Sequence, residues 1–372
     1  MTAEGIEIIE VKSKKELDDF IRLPISIYSK DTLYVPPLIT EMKKKFSKKN
    51  PFFLHASVKY FLAKYNGKPV GRVTSIINHR HNEFHKENTG FFGFFESFNN
   101  LEIAFALLDR VSETFKKEGM NIIRGPMNFS TNEESGFLLE GFDHPPMLMT
   151  PYNLPYYNEL MEKYGMKKSK DLFAYIVDVP EELPEKFQRV AQIAARRKIT
   201  VRPFNVKKFN QDMLIFKEVY NSAWENNWGF IPISDEELFY LGNSLKTILV
   251  PDLTLIAEKD GEPVGFMGLL PDFNFVLKQM NGKVNLVSIL KALYYSKKIK
   301  DMRLLLFGIK AEYRNKGVDA LLFSEGFRGV KKRNYKRVEF SWILEDNISV
   351  QRLIEIIDGK LYKKFRIYEK EL

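Results

Sequence analysis

The stretch Arg314-Asn-Lys-Gly317-Val-Asp-Ala320 follows a continuous apolar run, Arg303-Leu-Leu-Leu-Phe-Gly-Ile309, and leads into a segment with Phe323, Phe327 and Val330 at helical spacing. A buried strand, a short basic loop with one glycine and the start of a helix together make an anion site. The first N–H groups of the helix have no partner inside it, and its dipole adds to them. Gly317 lets the backbone approach a phosphate where a Cβ would intrude. Small Ala320 keeps the first helical turn open, and Arg314 and Lys316 add charge at the rim. Such a loop suits a phosphorylated cofactor.

Other residues of chemical interest fall elsewhere. Trp224-Glu-Asn-Asn-Trp228-Gly-Phe-Ile-Pro232 is aromatic, amide-bearing and turn-rich, so Trp228 is a candidate wall of an acceptor cleft, although core packing explains it as well. Asp272 and Asn274, after an apolar strand, would hold a polar or cationic acceptor; a plain strand-end turn explains them equally. Gly125-Pro-Met-Asn-Phe-Ser-Thr-Asn132-Glu133-Glu-Ser-Gly136 packs amides, hydroxyls and carboxylates into one turn-forming stretch, which makes Asn132 and Glu133 ligand-orienting candidates. His79-Arg-His81-Asn-Glu-Phe-His85 has metal-like spacing but reads as a solvated loop, and no metal is expected. P-loop, zincin and serine-hydrolase patterns are absent.

The whole chain limits these readings. Its 372 residues carry 57 Lys and Arg against 48 Asp and Glu, a net charge of +9 that favours anionic partners. With 44% apolar and 28% charged residues the composition is that of a folded globular protein. There is no cysteine, which excludes disulfides, thiolate metal sites and a cysteine nucleophile. No apolar run is long enough to span a bilayer, and the first residues are amphipathic without a leader-like pattern, so a cytoplasmic protein with no membrane partner is expected.

The elements that must position the anion loop are duplicated. Tyr65-Asn-Gly-Lys-Pro-Val-Gly-Arg72 matches Lys259-Asp-Gly-Glu-Pro-Val-Gly-Phe266, and each reads as a hairpin turned by Asn-Gly or Asp-Gly. Ile6–Val11 matches Ile199–Phe204, and Tyr175 matches Tyr368, 193 positions on. Each half reads strand, helix, hairpin, strand, helix, strand, helix and a terminal Lys-rich hairpin. The halves differ by insertions at Asn128–Tyr157 in the first and Asn274–Lys300 in the second, where function should diverge. The expected organisation is 1–178, a connecting helix within 179–198, and 199–372.

The loop and this element order resemble the GCN5-related N-acetyltransferase (GNAT) superfamily, whose acyl-CoA signature is Arg/Gln-x-x-Gly-x-Gly/Ala after the fourth strand. Arg314-x-x-Gly317-x-x-Ala320 is close to it, but the second small residue comes one position late and Asp319 stands where Gly or Ala is usual. The resemblance extends to Glu345-Asp-Asn347 and the helix beyond, and to a bacterial family of tandem GNAT-like proteins of about this length. It implies an α/β (α+β) fold of two tandem GNAT-like domains, each a mixed, mostly antiparallel sheet flanked by helices. It also implies acetyl-CoA or another acyl-CoA held by Gly308, Ile309, Arg314, Asn315, Lys316, Gly317, Val318, Asp319, Ala320 and Asn347. By the same resemblance the fourth strand bulges and splays around Gly308 and Ile309, and a small-molecule or peptide amine attacks the thioester directly. The Tyr that many GNATs use as acid is missing between Arg352 and Asp358, which leaves Glu355 and Tyr362 as candidates. In the first half the corresponding loop, Glu96-Ser-Phe-Asn-Asn-Leu-Glu102, has no Gly and offers acids instead, so a CoA site is not expected there.

Two alternatives stay open. Fem-type aminoacyl transferases also pair two GNAT folds and use charged tRNA, which Lys43–Lys45, Lys48-Lys49 and Arg196–Lys198 would meet; those lysine runs carry few interleaved aromatics and read as solvated surface. A CoA-binding interaction module without turnover is the other. Otherwise nucleic acid is not an expected partner.

Overall fold

Asn66-Gly67 and Asp260-Gly261 turn through positive φ (50° and 75°, 52° and 87°), the geometry of a two-residue hairpin. The computed structural model describes residues 5–372. It divides into two compact units, one formed by the chain up to Leu172 with Leu277–Ala292 and Lys363–Leu372, the other by Phe173–Val276 and Leu293–Tyr362.

In the first unit the chain runs β1 (Ile6–Glu10), α1 (Lys14–Ile27), α2 (Ile39–Lys45), β2 (Ala56–Tyr65), β3 (Lys68–Asn78), α3 (His79–His85), β4 (Thr89–Ser97), α4 (Leu101–Lys117) and β5 (Ile122–Gly125). Short strands β6 (Met127–Asn128), β7 (Glu134–Ser135) and β8 (Phe137–Glu140), helix α5 (Tyr156–Lys163) and β9 (Lys167–Asp178) follow. Strands β1 to β4 pair antiparallel in chain order and β4 pairs β5 in parallel. Ile103, Leu107, Leu108, Val111 and Phe115, one stripe of α4, are fully buried against this sheet.

The second unit repeats the plan after α6 (Glu185–Arg196). From there the chain runs β10 (Ile199–Pro203), α7 (Phe209–Trp224), α8 (Asp235–Leu245), β11 (Thr254–Lys259), β12 (Glu262–Pro271), α9 (Asn274–Met280), α10 (Leu286–Ser296), β13 (Asp301–Ile309), α11 (Val318–Lys332), β14 (Arg337–Leu344), α12 (Ile348–Ile356) and β15 (Lys360–Glu371), of which most of α10 and of β15 belongs to the first unit. Strands β10 to β13 are antiparallel neighbours and β13 pairs β14 in parallel. Its two apolar cores, one including Met267, Leu304 and Leu322 and the other Phe216, Ile256 and Phe266, correspond to α6 with α11 and to α7 with α8.

Three sequence expectations change. The terminal hairpins are single twelve-residue strands, β9 and β15, because no residue pair between Lys167 and Asp178 or between Lys360 and Glu371 takes the φ a tight turn needs. The units differ from the division 1–178, 179–198 and 199–372: the end of β15 pairs with β5 of the first unit, Tyr368 facing Gly125. His79–His85 forms a helix rather than a loop, capped by Asn78, with His81 buried.

His81 explains an expected pH response. Burial alone would raise the Glu87 carboxyl, but its contact with the His81 ring at 2.5 Å and the bonds from Arg124, at 2.8 and 3.3 Å, hold it down to about 2. A carboxylate held below its ordinary value adds stability above that value, and the gain is lost as pH falls from 4.5 through about 2. We expect up to about 3 kcal/mol of acid-side loss from this group. Thermal unfolding across that window should show a flatter profile for Glu87→Gln than for the wild type.

Candidate active site

β13 and β14 pair from Asp301↔Arg337 to Leu304↔Phe340, where their ladder ends. β13 stays on β12 as far as Ile309↔Gly265, while β14 continues to Leu344. A wedge therefore opens between two parallel strands. Gly268 faces Leu306 and Leu269 faces Leu304, so Leu305 is the extra residue of a β-bulge at the mouth of the wedge. The bulge thus lies at Leu305, not at Gly308 and Ile309 as expected. Gly308 remains in the ladder opposite Phe266, and its missing Cβ serves packing: a methyl there would stand 3.1 Å from Ala223 Cβ. The Trp224 indole N–H, 3.6 Å from that methyl position, donates to the Phe307 carbonyl at 3.2 Å.

The basic loop leaves β13 directly. Asn315 and Gly317 both take left-handed φ, 60° and 85°, and α11 starts at Val318 with no side-chain cap. A Cβ at Gly317 would lie 3.1 Å from Val190 and Ala194 of α6, so the glycine is required by conformation and by space. Arg314, Asn315 and Lys316 are exposed. Arg314 donates to the Ala223 carbonyl at 2.7 Å, and the Lys316 ammonium stands 4.9 Å from the Tyr313 ring centre. Val318 and Ala320 are buried in the core, so Ala320 serves packing on the inner side of α11 rather than keeping the first helical turn open as expected. Asp319 is half-buried. Asn347 caps α12 by accepting from the Val350 N–H at 3.3 Å.

At the base of the wedge lies a buried polar group that sequence reasoning missed. Glu339 is 0% exposed at its side chain and stands 3.6 Å from the Arg303 guanidinium, itself 2% exposed. The two are opposite each other in the parallel ladder, one position before it ends. Ser341 and Tyr362 both donate to the Glu339 carboxylate, and Arg303 donates to Ser341 Oγ at 2.8 Å while stacking 4.8 Å from the Trp342 ring. Burial, then the Glu339 charge, push the Tyr362 hydroxyl well above its ordinary value. Arg337-Val-Glu-Phe-Ser341 did carry a signal, a lone carboxylate inside an apolar strand. Beneath α11 lies a half-open apolar cavity of about 60 Å³ lined by Met267, Leu269, Leu304, Phe323, Phe327 and Phe340.

The remaining candidates scatter. Glu355 is exposed on α12. Asp272 is buried at the strand end, where its carboxylate accepts the Asn274 N–H at 3.3 Å, and its charge acts on Tyr362. Trp228 is half-buried in the turn after α7. Asn132 and Glu133 belong to the first unit, in the turn between β6 and β7, where Glu133 pairs with Lys45 at 2.6 Å. There the space beyond the β4–β5 ladder is taken: a Cβ at Gly93 would come 1.8 Å from the Met127 carbonyl oxygen, and Asn128 accepts the Phe94 N–H at 2.7 Å. The N-terminus of α4 is closed by Asn100, which accepts the Ile103 N–H. Glu96, at the end of β4, is buried among the hydroxyls of Tyr28 and Tyr157 at 2.8 and 2.7 Å.

Comparison with solved structures agrees with this architecture. A tandem GNAT protein from the clavulanic acid biosynthesis pathway matches 98% of this chain over 98% of its own length, with a TM-score of 0.59 at 11% identity. A GCN5-related N-acetyltransferase from Sphaerobacter thermophilus matches 98% of the chain and 95% of its own, with a TM-score of 0.54 at 13% identity. The fold, with its split strand pair, is that of the tandem GNAT proteins, an acyltransferase-type fold. No family model matches the chain. Among full-length relatives, Protein YghO of Escherichia coli strain K12 is 34% identical over 366 residues, 97% of this chain and 94% of that protein. The bacterial ceramide synthase of Caulobacter vibrioides is 31% identical over 379 residues, 100% and 99% of the two chains. The chain belongs to the bacterial family that contains these two proteins. No helix among the described residues is long and apolar enough to cross a membrane.

Proposed function

We propose that the protein is an acyl-CoA-dependent N-acyltransferase that takes its cofactor in the second unit. The observation that carries this reading is the wedge beyond Leu304↔Phe340, joined without a break to an exposed basic loop and an uncapped helix start. A thin pantetheine arm suits the gap between splayed strands. Its diphosphate suits the N–H groups of Gly317 to Ala320, with Arg314, Asn315 and Lys316 at the rim. Backbone N–H groups around the Leu305 bulge would polarise the thioester carbonyl. The amine nitrogen attacks that carbon, the C–S bond breaks, the amine loses a proton and the thiolate gains one. Tyr362 is favoured as the acid over Glu355: it bears a proton held by a buried carboxylate at the wedge base, whereas Glu355 faces solvent.

Ceramide is an amide of a fatty acid with a long-chain amino alcohol, and one relative is named as its synthase. We take a long-chain amine as the acceptor class, with Asp272, Asn274 and Trp228 on the acceptor side and the apolar cavity under α11 available to a hydrocarbon tail. The first unit, its corresponding space filled by Met127 and its helix start closed by Asn100, serves as a structural copy.

Thermal unfolding with acetyl-CoA and with a long-chain acyl-CoA tests the cofactor. A ligand bound only by the native state at about a hundredfold excess over Kd should stabilise it by about 2.7 kcal/mol. Arg314→Glu with Lys316→Glu, both at exposed positions, should weaken that binding by about tenfold or more. No stabilisation of the folded wild type by either thioester would overturn the reading, and stabilisation by charged tRNA alone would replace it with aminoacyl transfer.

A further inference from the structure

Helix α10 is built inside out. Its inward stripe is Ser288, Ala292 and Tyr295, small or polar at helical spacing, while Leu286 (73% exposed), Val287 (63%), Leu290 (58%) and Leu293 (61%) face solvent with Ile289 and Tyr294. Asn285 and Ser288 cap the helix reciprocally, Asn285 N–H to Ser288 Oγ at 2.7 Å and Ser288 N–H to Asn285 Oδ1 at 2.9 Å, so its start is fixed without the large apolar side chains. A contiguous exposed apolar face of this kind marks a binding surface.

Its charge identifies the occupant. The insertion Asn274–Lys300 contains six lysines and no Asp or Glu. Lys283, Lys291, Lys297, Lys298 and Lys300 are exposed on or beside the helix, and Lys298 lies along Tyr294, 4.1 Å from its ring centre. A second copy of this face would set lysines against lysines. A bilayer with anionic headgroups instead offers hydrocarbon to the leucines and phosphates to the ammonium groups at the depth lysine stems reach. Eleven residues rise about 16 Å, half of what spanning requires, so the helix lies in the interface plane.

We propose that α10 docks the protein on anionic lipid bilayers, its apolar face among the acyl chains and its lysines at the headgroups. This reverses the expectation of no membrane partner and does not depend on the acyltransferase reading.

The test is co-sedimentation of the full chain with phosphatidylcholine vesicles, with and without phosphatidylglycerol, at physiological and high salt. Binding should require phosphatidylglycerol, weaken with salt, and fall at least tenfold in Leu286→Glu/Leu290→Glu, whose substituted positions are exposed. Because the chain has no cysteine, Leu290→Cys carrying an environment-sensitive fluorophore reports insertion directly and should shift to the blue on these vesicles. A folded wild type that binds neither vesicle, or an undiminished glutamate variant, overturns the proposal. So does a dimer in light scattering that the same glutamate pair dissociates, which would assign the face to a second copy.

Discussion

Glu339→Leu is expected to destabilise the second unit by about 3–5 kcal/mol, the usual cost of breaking a buried ion pair by removing one partner. Leucine at a fully buried site in a strand is tolerable as an apolar residue. Its partner is the difficulty: the Arg303 guanidinium is buried to 2% exposure at its side chain and would lose the carboxylate that faces it across the ladder, whatever it keeps of the Ser341 hydroxyl and carbonyl and the Trp342 face. The Tyr362 and Ser341 hydroxyls would each lose an acceptor as well. Replacing both ends of the pair, Glu339→Leu with Arg303→Met, should recover much of that loss, because an apolar pair of similar volume carries no desolvation penalty. Denaturant unfolding of the wild type, both single variants and the double variant closes the cycle. If Glu339→Leu alone cost less than about 1 kcal/mol, water or a backbone group would have to reach Arg303 in the wedge.

This cluster also shows why the site was only partly legible. The Asn-Gly and Asp-Gly turns, the apolar stripe of α4 and the strand–basic loop–helix order are local patterns, so sequence alone exposes the duplicated scaffold and the anion loop. Whether Arg303 meets Glu339 depends on the register of two strands separated by a helix, and the one-residue bulge at Leu305, in the pairing of β13 with β12, is not announced by Gly308. A glycine in an apolar run signals either a bulge or a close neighbour; here the neighbour is Ala223. Ala320 was ambiguous for the same reason, since a small residue in a first helical turn serves a phosphate or a core equally. In the insertion Asn274–Lys300, read only as a point of divergence, α10 turns Ser288 and Ala292 to the side that leucines would ordinarily occupy. The return of β15 to β5 is a tertiary choice between two strands of similar composition, β9 and β15, and neither sequence favours one unit.

Tyr362→Phe is expected to lower kcat by about 10²–10⁴, the usual worth of a positioned general acid, while stabilisation by acyl-CoA stays unchanged. Burial and the Glu339 charge keep the Tyr362 hydroxyl protonated well beyond neutrality, so it should impose no alkaline limb of its own on the rate below about pH 10. Phenylalanine preserves the ring and removes only the hydroxyl. Glu339 then keeps Ser341 and Arg303, and the stability cost should be about 1–3 kcal/mol, small enough to leave a folded enzyme. A structural role would show in that loss alone. A catalytic one adds the fall in kcat with KM for the thioester little changed, because the proton is needed when the thiolate leaves and not when the cofactor binds. Glu355→Gln, at an exposed position on α12, is the matched comparison and should leave turnover within about twofold. Were the two effects reversed, the acid would lie on α12, and the Glu339 cluster would serve only to hold the base of the wedge.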